Sequence, residues 1–237
     1  MEVRKRLPLL AALAALSLLV GCATPTSIRQ HSDFAERTQA IKTVAILPPN
    51  VEVLEIVFSG DNARLPEREQ AVTGELLQQA EDALEGKGYQ VAALDYARLT
   101  AENPELAFEI DQLKQAFRDA GEAMRKERAT TENYARFKES VGERAGAVAA
   151  PLGVDALLLV DFNGFEKSSG KIAQEMAATV VFALLTGQVA VAQNSGSGVH
   201  LGLVEGRSGD VLWTNVAGHT AISGAVVNTA LAPLPAH

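Results

Sequence analysis

A single cysteine, Cys22, occurs in 237 residues, so no internal disulfide can staple the fold. Aromatic residues are scarce at 5%, and a core must lean on Ala, Val and Leu. Lys and Arg number 21 against 29 Asp and Glu, and no basic binding patch stands out. That balance argues against nucleic-acid binding and against electrostatic docking on anionic lipid. The four histidines, His31, His200, His219 and His237, are scattered and lack the spacing of a zinc site. Walker A and dinucleotide fingerprints are missing, and Asn194–Gly198 is no Gly-x-Ser-x-Gly elbow. Asp155 and Asp161 bracket an apolar run at even spacing, which suits strand-end capping better than acid–base work. The expectation is a protein without a catalytic site, bound metal or cofactor.

What the chain does have begins at its start. Met1 to Arg6 is a charged stretch, and Leu7 to Val20 is an apolar run of signal-peptide length. It falls short of the roughly 20 residues that span a bilayer. The small residues before Cys22 suit a peptidase that reads them in extended form. Leu19-Val20-Gly21-Cys22 resembles the lipobox of bacterial lipoproteins at every position. The resemblance implies cleavage before Cys22, a diacylglyceryl thioether on its sulfur, and a palmitate-class chain on its new amino group. Each buried methylene contributes about 0.8 kcal/mol, so several acyl chains anchor permanently. Ala23 stands where Asp would resemble an inner-membrane retention signal, which favours the outer membrane, with the domain in the periplasm. Removing residues 1–21 takes away Arg4, Lys5, Arg6 and Glu2 and moves the formal charge from −8 to −10. Residues 22–40, polar and rich in Pro, Ser, Thr and Gln, read as a lipidated flexible tether.

A folded domain is expected over 41–219. Thr43 to Leu47 is a strand stopped by Pro48-Pro49, and Val51 to Phe58 is a second strand or an extended loop. Pro66 opens a helix whose stripe is Val72, Leu76, Ala80 and Leu84, and Tyr89 to Leu94 is the strand after it. Asn103-Pro104-Glu105 starts another helix, with Leu106, Ile110, Leu113, Phe117, Ala120 and Met124 in a heptad stripe. A further helix is expected over 131–150, with Tyr134, Phe137, Val141 and Val148 inward and Gly153 closing it. The helical insertion at about 100–150 is a candidate partner surface. Val154 to Phe162 is continuously apolar, as a central strand buried on both faces requires. Val199–Val204 and Val211–Val216 flank a Gly-containing loop and predict a hairpin. Trp213 is expected against the sheet. Residues 220–237 form a C-terminal tail, with a short helix before Pro233-Leu234-Pro235 ends order.

From Met176 to Ala192 no residue is charged. Residues 172–192 admit three readings: a helix covering the sheet, a helix presenting an apolar face to a partner or a second copy, or a membrane insertion.

Thr43–Pro48, Leu152–Leu158 and Leu203–Trp213 together resemble a group of bacterial lipoproteins whose domain is similar to the amino-terminal domain of TolB. The group includes the curli-secretion lipoprotein CsgG and lipoprotein activators of peptidoglycan synthases. It implies an α/β fold of the anticodon-binding-like kind: a central mixed sheet covered by helices, with a helical insertion and an apolar helix before a C-terminal hairpin. Glu205 departs from the group's usual Asp, and the two amphipathic hairpins of the CsgG pore have no counterpart here. The functional expectation is a non-enzymatic docking, scaffolding or assembly factor for an envelope complex. It would be held to the bilayer by acyl chains on Cys22 and would meet a protein partner or itself. The alternative is a CsgG-like oligomeric secretion component using residues 172–192.

Overall fold

The structure is a computed structural model that describes residues 26–92, 94–126, 136–186 and 193–237. The expected signal peptide, Leu19 to Cys22, and Tyr134 of the expected third helix lie outside the described residues. The architecture is α/β: a mixed sheet of nine described strands packed with helices. Its axis is β7 (Ala156–Lys167), whose first residues are buried without interruption. A run buried on both faces belongs at the centre of a covered sheet. Along one edge β7 pairs with β2 (Thr43–Ile46) through its first half and with β3 (Asn50–Ile56) through its second, both parallel. Pro48 and Pro49 fall between the two; lacking an N–H, they cannot extend the ladder. β5 (Gln90–Ala92) continues from β2, and β4 (Ala63–Arg64) from β3. Along its other edge β7 pairs with the hairpin of β8 (Ser195–Glu205) and β9 (Val211–His219), and β1 (Thr26–His31) follows β9.

β1 corrects the expected tether. Residues 26–40 are structured: β1 pairs with β9 from Thr26 to Gln30, then come α1 (Phe34–Arg37) and a 3-10 turn (Thr38–Ala40). Phe34 is buried in the core. The Arg37 guanidinium donates to Glu205, to Ser208 Oγ at 2.7 Å and to Asp210 Oδ2 at 2.8 Å, pinning the hairpin turn. Composition made this segment look like linker, but partners distant in sequence order it.

On one face α2 (Pro66–Glu85) packs Val72, Leu76, Ala80 and Leu84, the stripe read from the sequence, and α7 (Val226–Leu231) packs beside it. Trp213, fully buried, belongs to this core as expected. The C-terminal residues are no free tail. Leu234 is buried, Lys87 Nζ donates to Ala232 O at 3.0 Å and Leu234 O at 2.7 Å, and the His237 amide donates to Lys87 O at 2.7 Å. Apolar side chains at 226, 227, 230, 231 and 234 draw this segment inward.

The opposite face carries α4 (Pro104–Lys126) and α5 (Arg144–Leu152), with α3 (Tyr96–Glu102) leaning on α4. All six residues of the α4 stripe are buried. Asn103 caps it as the sequence implied, accepting from the Leu106 amide at 3.1 Å. The helix expected over 131–150 begins only at Arg144. Before it, Arg136–Phe137 form β6 against β1. The Val141 amide donates to Gly209 O at 2.8 Å, and the Val211 amide to Glu139 O at 2.9 Å. The hairpin turn recruits this stretch as extended chain, and helical hydrogen bonds give way to these. Phe137, Val141 and Val148 are nonetheless inward.

Candidate functional site

Side chains alternate along a strand, so one residue of each strand in a cross-strand row points to each face. One row runs Asn50 (β3), Asp161 (β7), His200 (β8), Val216 (β9), Ser27 (β1). It lies on the face covered by α4. Below it, towards the hairpin turn, Leu157, Leu159, Val204 and Val211 are sealed under α4 and α5. Above it no helix of the described residues covers the floor, where Glu52 and Asn163 are exposed and Val216 is 46% exposed. Between the last turns of α4 and this uncovered half lies a groove of about 1180 Å³. It crosses five strands, so its floor runs about 19 Å at ~4.8 Å per strand spacing.

Two glycines set the height of α4 over the sheet. A Cβ on Gly202 would lie 2.1 Å from the Phe117 ring, so Phe117 seats where no side chain can stand. One turn on, a Cβ at Gly121 would approach His200 Cε1 to 3.0 Å. His200 itself stacks on Phe117, with centroids 4.8 Å apart and planes 17° apart. The α4 end is tied down by Arg29, which donates to Met124 O at 3.0 Å and lies 5.3 Å from the Phe137 ring centroid.

The groove floor is polar at its centre. Burial pushes the Asp161 carboxyl up from its ordinary range, against a 2.6 Å hydrogen bond from Asn50 Nδ2 and the positive charges of Arg118 and Lys114. Burial likewise lowers the Lys114 ammonium, with the nearby Asp111 working the other way. Asp155 differs from Asp161. Burial works to raise it, but the Lys42 and Thr43 amides and the Thr43 hydroxyl, each at 2.9 Å, outweigh that and hold it below the carboxylate range. It ties β2 to the foot of β7, the strand-end role expected from its position. Among the described residues no group of His, Cys, Asp and Glu could hold a metal ion. Chemically, the groove offers hydrogen-bond donors and acceptors of both signs along a narrow bed.

Leu19, Val20, Gly21 and Cys22 lie outside the described residues. Their position in the chain still matters, because three residues after Cys22 the sheet begins at Thr26. The apolar segment becomes α6 (Ser169–Thr186), which leaves the end of β7. Its base is held by the Lys167–Glu175 pair at 2.5 Å and by Lys171 at 3.8 Å from Glu175. None of residues 169–179 is buried, and Met176 is 63% exposed. Of the three readings, a helix buried against the sheet does not describe residues 169–179. Residues 187–192 of that stretch lie outside the described residues. Among the described residues no helix is long and apolar enough to cross a membrane.

The sequence pointed to Asp161 only as the partner of Asp155 and missed His200 and Asn50. Polar residues interrupting apolar strands were the available signal, because each lands in the same cross-strand row.

No protein-family model matches the sequence. None of the curated proteins matches it either. Among solved structures, the PelC dodecamer from Paraburkholderia phytofirmans is similar over 90% of this chain and 99% of its own, at 11% identity and a TM-score of 0.40. Lipoprotein GNA1162 from Neisseria meningitidis is similar over 74% of this chain and 78% of its own, at 13% identity and a TM-score of 0.32. The LpoB C-terminal domain from Salmonella enterica is similar over 78% of this chain and 90% of its own, at 9% identity and a TM-score of 0.29. Likeness of this degree carries no argument about function, which rests on the chain's own residues.

Proposed function

We propose that this chain is an envelope lipoprotein of the TolB-like and CsgG-like group, held to the outer membrane by acyl chains on Cys22. It acts without catalysis as a docking, scaffolding or assembly factor for a cell-envelope complex. The observation that carries the reading is the lipobox Leu19-Val20-Gly21-Cys22, placed immediately before a folded α/β domain. The groove is the face offered to a protein partner. A floor of about 19 Å accepts an extended segment of roughly five or six residues at 3.3–3.6 Å each.

Mass spectrometry of the mature amino terminus tests the anchor. A triacylated Cys22 peptide in the outer-membrane fraction is the expected result, and an unmodified Cys22 overturns it. Photo-crosslinking from Asn163 and Val216 in intact envelopes tests the groove. One defined adduct from these positions and none from exposed sites on α2 supports docking there, whereas identical patterns from both faces overturn it.

A second reading, an oligomeric secretion component, draws on α6, in which none of the first eleven residues is fully buried. Detergent-stable rings of the lipidated chain that dissociate when α6 is made polar would establish it over simple docking.

A further inference from the structure

We propose that α6 is a membrane-docking helix that rests in the bilayer surface beside the acyl chains on Cys22. The proposal rests on the lipid-anchor reading and adds a second, protein-made contact to it. Cys22 is separated from Thr26 by three residues, whose greatest reach is about 14 Å. Thr26 starts β1 in the cross-strand row Val51, Phe162, Val199, Ala217. The amino-terminal end of β1 faces the end of the sheet where β7 and β3 finish and β8 begins. From that row β7 runs five residues further, about 17 Å, before α6 starts at Ser169. Sheet twist tilts β7 against β1 and shortens the projection, yet the start of β1 and the end of β7 point to the same rim. A leash of about 14 Å leaves no room for another protein layer between that rim and the lipid.

The rim is built for the contact. Of the four large apolar side chains most exposed among the described residues, Met176 (63%) lies on α6 and Phe58 (66%) follows the end of β3 beside Lys167. Phe108 lies at the opposite end, near the start of α4. The sequence carries no Asp, Glu, Lys or Arg from Met176 through Val204. From Met176 onward α6 carries no charged residue, and among the described residues no helix is long and apolar enough to cross a bilayer. With a mature charge near −10, attraction to anionic headgroups cannot supply the contact. The ligand is therefore the apolar boundary of a zwitterionic lipid surface, reached through insertion rather than charge.

The test uses the full lipidated chain, in which acylation occupies the thiol of Cys22. Met176→Cys, Phe58→Cys and Phe108→Cys, all at exposed positions, each take an environment-sensitive dye. The proteins are reconstituted into phosphatidylethanolamine–phosphatidylcholine vesicles, and emission is read from the vesicle-bound fraction with nitroxide lipid as quencher. The expected result is a blue shift and strong quenching at 176 and 58, none at 108, and no change on raising salt. Ala178→Glu in the Met176→Cys background is expected to reduce the quench several-fold without changing the far-ultraviolet circular dichroism. Water-like emission at all three sites on bound protein overturns the proposal while leaving the anchor intact. A blue shift at 176 without vesicles, together with a concentration-dependent oligomer, overturns it in favour of a second copy. A chain that does not bind vesicles and shows an unmodified Cys22 overturns the anchor and this proposal with it.

Discussion

α4 and α6 are both long helices beside the central strand, yet they relate to the domain in opposite ways. α4 carries polar and charged residues between the members of a single stripe, and every member of that stripe is buried. α6 is richer in apolar residues, and its first eleven positions bury none of them. What docks a helix on a sheet is the arrangement of its apolar residues together with a bed cut to receive them. Phe117 has Gly202 beneath it, while the base of α6 is held by ion pairs of Lys167 and Lys171 with Glu175. Removing apolar surface should therefore cost the fold heavily along the α4 stripe and almost nothing at an exposed position such as Met176.

The largest expected effect is at Phe117. Phe117→Ala empties a fully buried site and strips His200 of its stacking partner, and should cost about 3–5 kcal/mol in urea unfolding. Gly202→Ala attacks the same contact from the sheet side. Its methyl would collide with the ring, with an expected loss of about 1–3 kcal/mol and a disturbed groove. If Gly202→Ala is neutral, the account of how α4 is positioned fails. Arg37→Ala removes hydrogen bonds to Glu205, Ser208 and Asp210 and should cost about 1.5–3 kcal/mol, which separates a structured 26–40 segment from a tether.

A smaller, pH-dependent effect belongs to Asp161. Its folded carboxyl titrates above the unfolded one, so its contribution to stability is fully present below the unfolded value and is lost as pH rises through the folded value. Asp161→Asn should thus gain on the parent protein as pH rises from acid to neutral, and parallel melting curves across that range would refute it. The opposite sign applies to Asp155, Glu205 and Asp210, whose carboxyls are held low. Their contribution is present above the unfolded values and fades as acid carries the pH through the folded ones. The smallest effect is at Met176, where Met176→Ser should leave the stability of the protein free of lipid within about 0.5 kcal/mol.

Where the sequence carried a strong local pattern, it foretold the structure. The stripes of α2 and α4, the Asn103 cap, the apolar β7 and the β8–β9 hairpin all follow from periodicity and punctuation within a short window. β1 was invisible because Thr26 to His31 holds one aliphatic residue, Ile28, and owes its order to β9, some 190 residues away. The extended stretch before α5 was hidden for a similar reason, since its hydrogen-bond partners belong to the hairpin turn. The groove was the least legible part. Its floor row is drawn from positions 27, 50, 161, 200 and 216, and nothing in any one neighbourhood marks them as companions. The proposed anchor was the reverse: it is read from four adjacent residues, and the fold adds only that β1 begins at Thr26.

The row across the groove also bears on how such a surface can change over time. Each strand lends it a single residue, and the next residue along the same strand faces the other core. A substitution at the half-exposed Val216 changes one position of the groove floor and leaves Trp213, on the other face, packed as before. The groove floor and the opposite core are thus written on alternate positions of the same strands, so the surface of one can change without rebuilding the other.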